Sequence, residues 1–398
     1  MPIEITTEHR EQLSEILNQE ITPPLVRRIN DAYGEQLGGL ILASAVHQQK
    51  AVSQLGPGTW WVTRESLQKA TAWQVAKLKA SWFERNQPIF DFCCGVGGDS
   101  RWLSTSANTI AVDNDPLICA AAKANLMDQD VTIQCADVTE IAVAGDAFVH
   151  IDPDRRSDQR RHTNADYFRP SWDFVAKLIE STNGGVIKLA PGTDLPDCEA
   201  EDAALHRTWI SLRGSVREQS VVYGRLLDSI APQQQLPARS AIVVHSDATY
   251  CRYIPSIPIQ SSVNSQPKAL GWMVDPDAAI RAAGLTETFA SEFGISAIGH
   301  PSGFLTTNEI GDQVQRLGVA EPVVWSGSAD DRKIRRELRA RNAYPKKIKV
   351  RGASHDPNVL TSRYRKCGDN PVSLWIGRHG KKVYAVMTDP EHQAAIRG

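Results

Sequence analysis

Four acids and three glycines at the ends of three short apolar runs could do chemistry in this chain. The first run leads into Asp91-Phe-Cys-Cys-Gly-Val-Gly-Gly-Asp99. Glycines in such a loop let a ligand approach the backbone, because no Cβ stands in the way. Gly95 and Gly97 fit the start of a GxGxxG phosphate loop, but its third position is Ser100,. Asp91 and Asp99 flank the loop. They would repel a pyrophosphate and suit a cation. Asp113 lies 18 residues beyond Gly95 and ends the second run, next to Asn114; Asp137 follows the third, next to Val138.

A second stretch, "HIDPDRRSDQRRH" at residues 150–162, joins Asp152-Pro153 to Arg155, Arg156, Arg160 and Arg161. An aspartate there could orient an acceptor or take its proton. Arg155 and Arg156 could fork onto phosphate or stack on a base. Tyr167, Phe168 and Trp172 follow as stacking candidates,. Equally, Asp152, Asp154 and the arginines could form an ion-pair network that shapes the loop. Lys188 reads as a structural residue at a strand end.

These side chains need a scaffold, and the periodicity supplies one. From Pro88, "PIFDF", "NTIAVD", "DVTIQC", "DAFVHI" and "GGVIKL" read as strands alternating with helices, as in a parallel doubly wound sheet,. Asp113, at the end of the second strand, would then accept from both ribose hydroxyls of a nucleoside. Asp137, at the end of the third, would accept from an adenine amine. S-adenosylmethionine, a sulfonium with an α-ammonium and no phosphate, fits the set Asp91, Cys93, Gly95, Gly97, Gly98, Asp99, Asp113, Asn114, Asp137 and Val138. "SVVYGRLLD" and "RSAIVVHSD" read as a hairpin at the sheet edge, over about 215–246. Residues 1–85 read as helical, with one continuous amphipathic pattern through "ESLQKATAWQVAKLKASWF",. The expected parts are a helical segment 1–85, the sheet domain 86–251, a small α/β module 252–325 and a last module 326–398. The last begins with a helix capped at Ser328 and ends in a hairpin near His379-Gly380.

Charge divides the chain sharply. Residues 332–366 carry thirteen Lys/Arg against Glu337 and Asp356, a net of +11, while residues 1–331 carry −14. Lys346, Lys347, Lys349 and Arg351 alternate with Ile348 and Val350, and Arg363, Arg365 and Lys366 surround Tyr364. A polyanion such as structured RNA is the expected partner of such a patch. The start is polar, and the apolar stretch Leu37–Val46 is too short to span a bilayer, so a cytoplasmic protein without a membrane partner is expected,. Seven cysteines with no CxxC pair point to free thiols and no metal site,.

Residues 88–153 resemble class I S-adenosylmethionine-dependent methyltransferases. "DFCCGVGGDS" and "IAVDNDP" are similar to the trimethylguanosine synthase branch, whose members methylate RNA cap guanines. "WMVDPDAAIRAAGL", "KKIKVRG" and the final hairpin resemble the ferredoxin-like and THUMP-like modules that follow this domain in one bacterial family. The resemblance implies a Rossmann-like seven-stranded α/β sheet, an RNA substrate such as tRNA or rRNA, and methyl delivery beside Asp152-Pro153. Amine methyltransferases of this fold commonly carry a second proline and then an aromatic ring; here Asp154 and Arg155 stand instead. Two other readings remain: methylation of a small molecule or protein, and an inactive RNA-binding protein that retains the fold.

Overall fold

The apolar runs after Pro88 become the centre of a parallel sheet. In the computed structural model β1 (Ile89–Phe92), β2 (Thr109–Asp113), β3 (Val131–Cys135), β4 (Phe148–Ile151) and β5 (Gly184–Leu189) pair in parallel, β1 between β2 and β4. β1, β4 and β5 are buried along their length, as strands covered on both faces must be,. The structure describes residues 3–154, 156–157, 160–161, 168–195, 204–231, 236–299 and 304–391. Its contacts divide the chain into two units, the first made of residues 1–213, 217–238 and 244–250, the second of 214–216, 239–243 and 251–398.

In the first unit the strands run β6-β7-β5-β4-β1-β2-β3, where β6 is Leu205–Leu212 and β7 is Ser215–Gly224. β7 is antiparallel to β5. This corrects the expected hairpin of 215–246. β7 lies between β5 and β6, and its hairpin partner is the strand before it, through Arg213-Gly214 with φ 55° and 73°,. β6 escapes pattern reading because His206, Arg207 and Thr208 are buried polar residues inside it. Arg207 Nε donates to Gln219 Oε1 on β7 at 2.6 Å.

The connections carry helices. α1 (Thr7–Ile16) and α2 (Pro23–Leu55) come first, with Gly34 at φ 76° interrupting α2. α3 (Arg64–Lys69) and α4 (Trp73–Ala80) follow as separate helices, because Ala70 and Ala72 both adopt ψ 139°. The one continuous pattern expected there is therefore broken. α5 (Ser100–Leu103) leaves the glycine loop, and α6 (Pro116–Asn125) starts on Asp115, whose carboxylate accepts from Leu117 and Ile118 N–H,. α7 is Trp172–Ser181. Leu40, Ile41, Trp60, Trp61 and Val62 share one core with Ala120, Ala121 and Ala124 of α6, so the N-terminal segment packs over α6.

β8 (Arg239–Val244) and β9 (Tyr250–Tyr253) straddle the division of the chain, and the second unit continues from Cys251. Its own sheet comprises β10 (Ser265–Gln266), β11 (Trp272–Pro276), β12 (Ser296–Ile298), β13 (Phe304–Thr307), β14 (Gly318–Ser328), β15 (Ala343–Val350), β16 (Asn370–His379) and β17 (Lys382–Thr388). Their order is β10-β12-β13-β11-β14-β17-β16-β15. α8 (Ala278–Ala282), α9 (Thr286–Glu292) and α10 (Asp312–Arg316) link β11 to β14 in a βαββαβ pattern, the ferredoxin-like arrangement,. β14 runs on through residues 325 and 326. α11 (Asp331–Ala340) is capped by Asp330, which accepts from Lys333 N–H, and not by Ser328, the last residue of β14. α12 (Pro357–Tyr364) packs on β15. The hairpin of β16 and β17 closes with His379 opposite Lys382. Among the described residues no helix is long and apolar enough to cross a membrane.

Candidate active site

β1 ends where Cys93 takes φ 57°, followed by Gly95 at 56° and Gly97 at 85°. The three glycines divide their duties. A Cβ on Gly97 would lie 2.5 Å from Leu126, and one on Gly98 3.3 Å from Leu55, so both are small for packing. A Cβ on Gly95 would meet nothing within 4 Å. Gly95 alone among them faces open space. Asp113 Oδ2 accepts from Gly95 N–H at 3.0 Å and Oδ1 from Asp115 N–H at 3.1 Å. Burial raises its carboxyl above the ordinary value, against the pull of those N–H groups. Each oxygen keeps a lone pair for a further donor. Asn114 follows, exposed.

Asp137 stands two residues past Cys135, the register partner of Asp113. Its Oδ1 accepts from Thr139 N–H at 2.9 Å and Thr139 Oγ1 at 2.8 Å, which holds its carboxyl below the ordinary value. Val138 is buried beneath it. Three successive strand ends thus present Gly95, Asp113 and Asp137 side by side. The thiol of Cys93 is pushed well up by burial, then by Asp113 and Asp152, so it stays neutral between the two acids.

Asp91 and Asp99 are placed differently from the sequence expectation. Asp91 is 1% exposed. It accepts from Ser100 Oγ and, at 2.7 Å, from His150 Nδ1. Asp99 accepts from Thr71 Oγ1 at 2.6 Å and pairs with Lys79 Nζ at 3.0 Å. Asp91 is hydrogen-bonded and Asp99 ion-paired within the protein, and both stand behind the loop.

The sequence reading passes over Lys79, yet it centres this network. It is 1% exposed and also reaches Glu218 at 3.1 Å and His150 Nε2 at 3.1 Å. An ammonium only donates, so it fixes the histidine proton on Nδ1, facing Asp91. Burial works against the charge on Lys79, but Asp99 and Glu218 raise its pKa above the usual lysine value. Burial likewise opposes ionisation of Asp99, but the Lys79 ammonium, with Lys188 further off, holds it well below the carboxylate range. The sequence signal was available. Lys79 falls four residues after Val75 and three before Trp82, on the apolar face of α4, and His150 interrupts an apolar strand.

At the end of β4, Asp152 N–H donates to Phe92 O at 3.2 Å, and Pro153 is buried behind it. Asp152 Oδ2 accepts from Lys188 Nζ at 2.5 Å. Burial opposes the charge on Lys188, yet Asp152, with Asp99 and Glu218, raises its pKa above the usual lysine value. Asp154 exchanges two backbone hydrogen bonds of 2.9 Å with Arg169 and pairs with Lys69 at 2.8 Å. Arg155 and Tyr167 lie outside the described residues. Arg156 belongs to a two-residue antiparallel pairing, opposite Arg161. Phe168 and Trp172 are buried with Phe92, Ile151 and Val175, so neither ring is a free stacking surface.

In the second unit, two of the expected RNA contacts turn inward. Lys349 pairs with Asp275 at 2.8 Å and lies 4.1 Å over the Trp375 ring; Arg351 bonds the same carboxylate and covers Phe304. Burial lowers the Lys349 pKa to about 8. Lys346, Lys347, Arg363, Arg365 and Lys366 are exposed on β15, α12 and the turn after it. Arg363 lies 3.4 Å from Asp331, and Arg365 covers the Tyr344 ring at 4.2 Å.

No family model matches the chain. Two curated relatives, from strains CDC 1551 and H37Rv of Mycobacterium tuberculosis, are uncharacterized S-adenosylmethionine-dependent methyltransferases. Each is 28% identical to this chain over 331 residues, 82% of this chain and 87% of theirs. A crystal structure of a candidate methyltransferase from Porphyromonas gingivalis W83 superposes with a TM-score of 0.71 at 16% identity, over 97% of this chain and 100% of that one. The fold is the Rossmann-like fold of class I methyltransferases. Fold and curated relatives converge on one class, S-adenosylmethionine-dependent methyltransferases.

Proposed function

We propose that this protein is an S-adenosylmethionine-dependent methyltransferase of structured RNA, tRNA or rRNA. The observation that carries the cofactor is Asp113 bonded to Gly95 N–H, beneath the one glycine of the loop with open space before it. Asp113 and Asp137 would hold ribose and adenine, with Cys93, Asn114 and Val138 around them; Asp91, Gly97, Gly98 and Asp99 would keep the loop in shape. When bound, the cofactor supplies an activated methyl group on a sulfonium. The chain has to align an acceptor with it, and alignment of well-oriented groups is worth up to roughly 7–11 kcal/mol. Asp152 orients the acceptor through a carboxylate oxygen, Pro153 fixes its backbone, and Arg155 and Arg156 take the phosphate or stack on the base.

RNA is supported by the +11 of residues 332–366 and by the exposed cations on β15 and after α12. In this reading residues 1–85 support the loop, 86–251 carry the transfer, 252–325 form the ferredoxin-like module and 326–398 the THUMP-like docking module, all in the cytoplasm. Nucleoside mass spectrometry of RNA from cells with and without the gene tests it. One methylated nucleoside should disappear with the gene. An unchanged profile, with no RNA retardation on gels, would favour a small-molecule or protein acceptor.

The cations make separate forecasts. Replacing Lys346 and Lys347 together by alanine should weaken RNA binding across all sequences and flatten the log–log salt slope by about 1.5–2. Lys349→Met, whose ammonium is committed to Asp275, should leave that slope unchanged. Mobility shifts at several salt concentrations measure both, and equal slopes for all three proteins would remove β15 from the interface.

A further inference from the structure

The geometry points to a two-lysine clamp on Asp152-Pro153-Asp154, with Lys188 as a positioning residue for Asp152. The inference rests on the proposed methyl transfer at this loop and concerns how the loop is held. Three observations meet there. Lys188 Nζ pairs with Asp152 Oδ2 at 2.5 Å, and its side chain is 9% exposed. The same Nζ donates to the Lys69 carbonyl at 3.3 Å. The Lys69 ammonium pairs with Asp154 at 2.8 Å. The last residue of α3 therefore touches both ends of the clamp, and each acid of the loop has its own lysine.

This accounts for Asp154 where a second proline is common. A proline fixes φ through its ring. Here Asp154 is fixed through two backbone bonds to Arg169 and a carboxylate held by Lys69. The two halves differ in weight. The Lys69–Asp154 pair is about half exposed on both sides and contributes little,. The Lys188–Asp152 pair is shielded, and the ammonium also lies in the field of Asp99 and Glu218. Lys188 directs one oxygen of Asp152 inward and leaves Oδ1, without a partner among the described residues, to meet an acceptor. Lys69 thus adds to Thr71 and Lys79 a third contact from the N-terminal segment to the loops at the strand ends.

The test uses the full chain and hydrogen exchange of the peptide spanning 148–154, with labelled S-adenosylmethionine and total RNA from cells lacking the gene. Lys188→Met should speed exchange of that peptide at least about 10-fold, because Asp152 is released. Turnover should fall by a similar factor, with the KM for the cofactor unchanged. Lys188→Arg should recover part of it, and Lys69→Met should cost about 2- to 3-fold. A paired Asp152→Asn/Lys188→Met protein removes both charges together. It should fold and bind the cofactor normally yet remain slow, which separates positioning from folding. Unchanged exchange in Lys188→Met, or full turnover in the paired variant, overturns the clamp. Absence of transfer by the unaltered protein counts against the RNA reading instead, and the exchange measurement still decides on the clamp.

Discussion

An Asp113→Ala protein should bind S-adenosylmethionine roughly 10- to 100-fold more weakly, because hydrogen bonds to charged groups are worth about 1.5–3 kcal/mol each. The loss has two parts. The carboxylate itself would accept from the ribose, and it also pins Gly95 N–H at 3.0 Å, which keeps the open face of the loop in place. Asp113→Asn separates them. The amide retains one acceptor oxygen but sets an NH2 against either Gly95 or Asp115 N–H, so an intermediate affinity is expected. The fold should survive both changes, since Asp113 caps no core contact and only its neighbours' N–H groups turn to water. Isothermal titration gives the affinities and thermal melts the control. A dissociation constant that does not move in Asp113→Ala would remove this residue, and with it the cofactor assignment.

The place of Asp113 at the end of β2 was legible because strand ends in a doubly wound sheet are countable from sequence. Each apolar run stops at a polar residue, and the period changes from two to about 3.6 behind it. The glycine loop and Asp137 follow from the same counting. Burial direction was not legible. Asp91 and Asp99 look like Asp113 in sequence, yet Ser100, His150, Thr71 and Lys79 claim them from behind. Ser100 opens the next helix, but Thr71, Lys79 and His150 come from the turn before α4, α4 and β4, and only the fold brings them to the loop. Lys349 and Arg351 failed for the same reason. Alternation correctly gave a strand, but Asp275, 74 residues before Lys349, decides that their face is the inner one. The missed β6 shows the converse, since its Arg207 is paired across the hairpin with Gln219 of β7 and its His206 with the Pro237 carbonyl.

The largest stability effect should come from Lys79→Met. Lys79 is the cation between Asp99 and Glu218, and all three are nearly enclosed. Removing one member of a buried pair typically costs about 3–5 kcal/mol, because the remaining charge is left uncompensated. For a unit of this size that is a fall in melting temperature of about 10 °C. Asp91, His150 and Lys188 surround the site, but His150 already gives its Nδ1 proton to Asp91, and Lys188 is committed to Asp152. The pH dependence has a definite sign. In the unaltered protein Asp99 lies below its unfolded value, so its contribution is present above the ordinary carboxylate pKa and is lost only as pH falls through the depressed one,. Lys79 lies above its unfolded value, so its share is present at neutral pH and disappears only as strong alkali is reached,. Both are therefore constant between pH 5 and 8. Without Lys79, burial instead raises the stranded carboxyls, and proton uptake relieves the strain as the solution is acidified. The gap in melting temperature between the two proteins should be widest near pH 8 and narrow towards pH 5. Lys79→Met/Glu218→Gln, which removes one of the stranded charges, should recover part of the loss at pH 8. A gap of about 2 °C or less at pH 8 would mean that water or a neighbouring group replaces Lys79, and that this network does not brace the glycine loop.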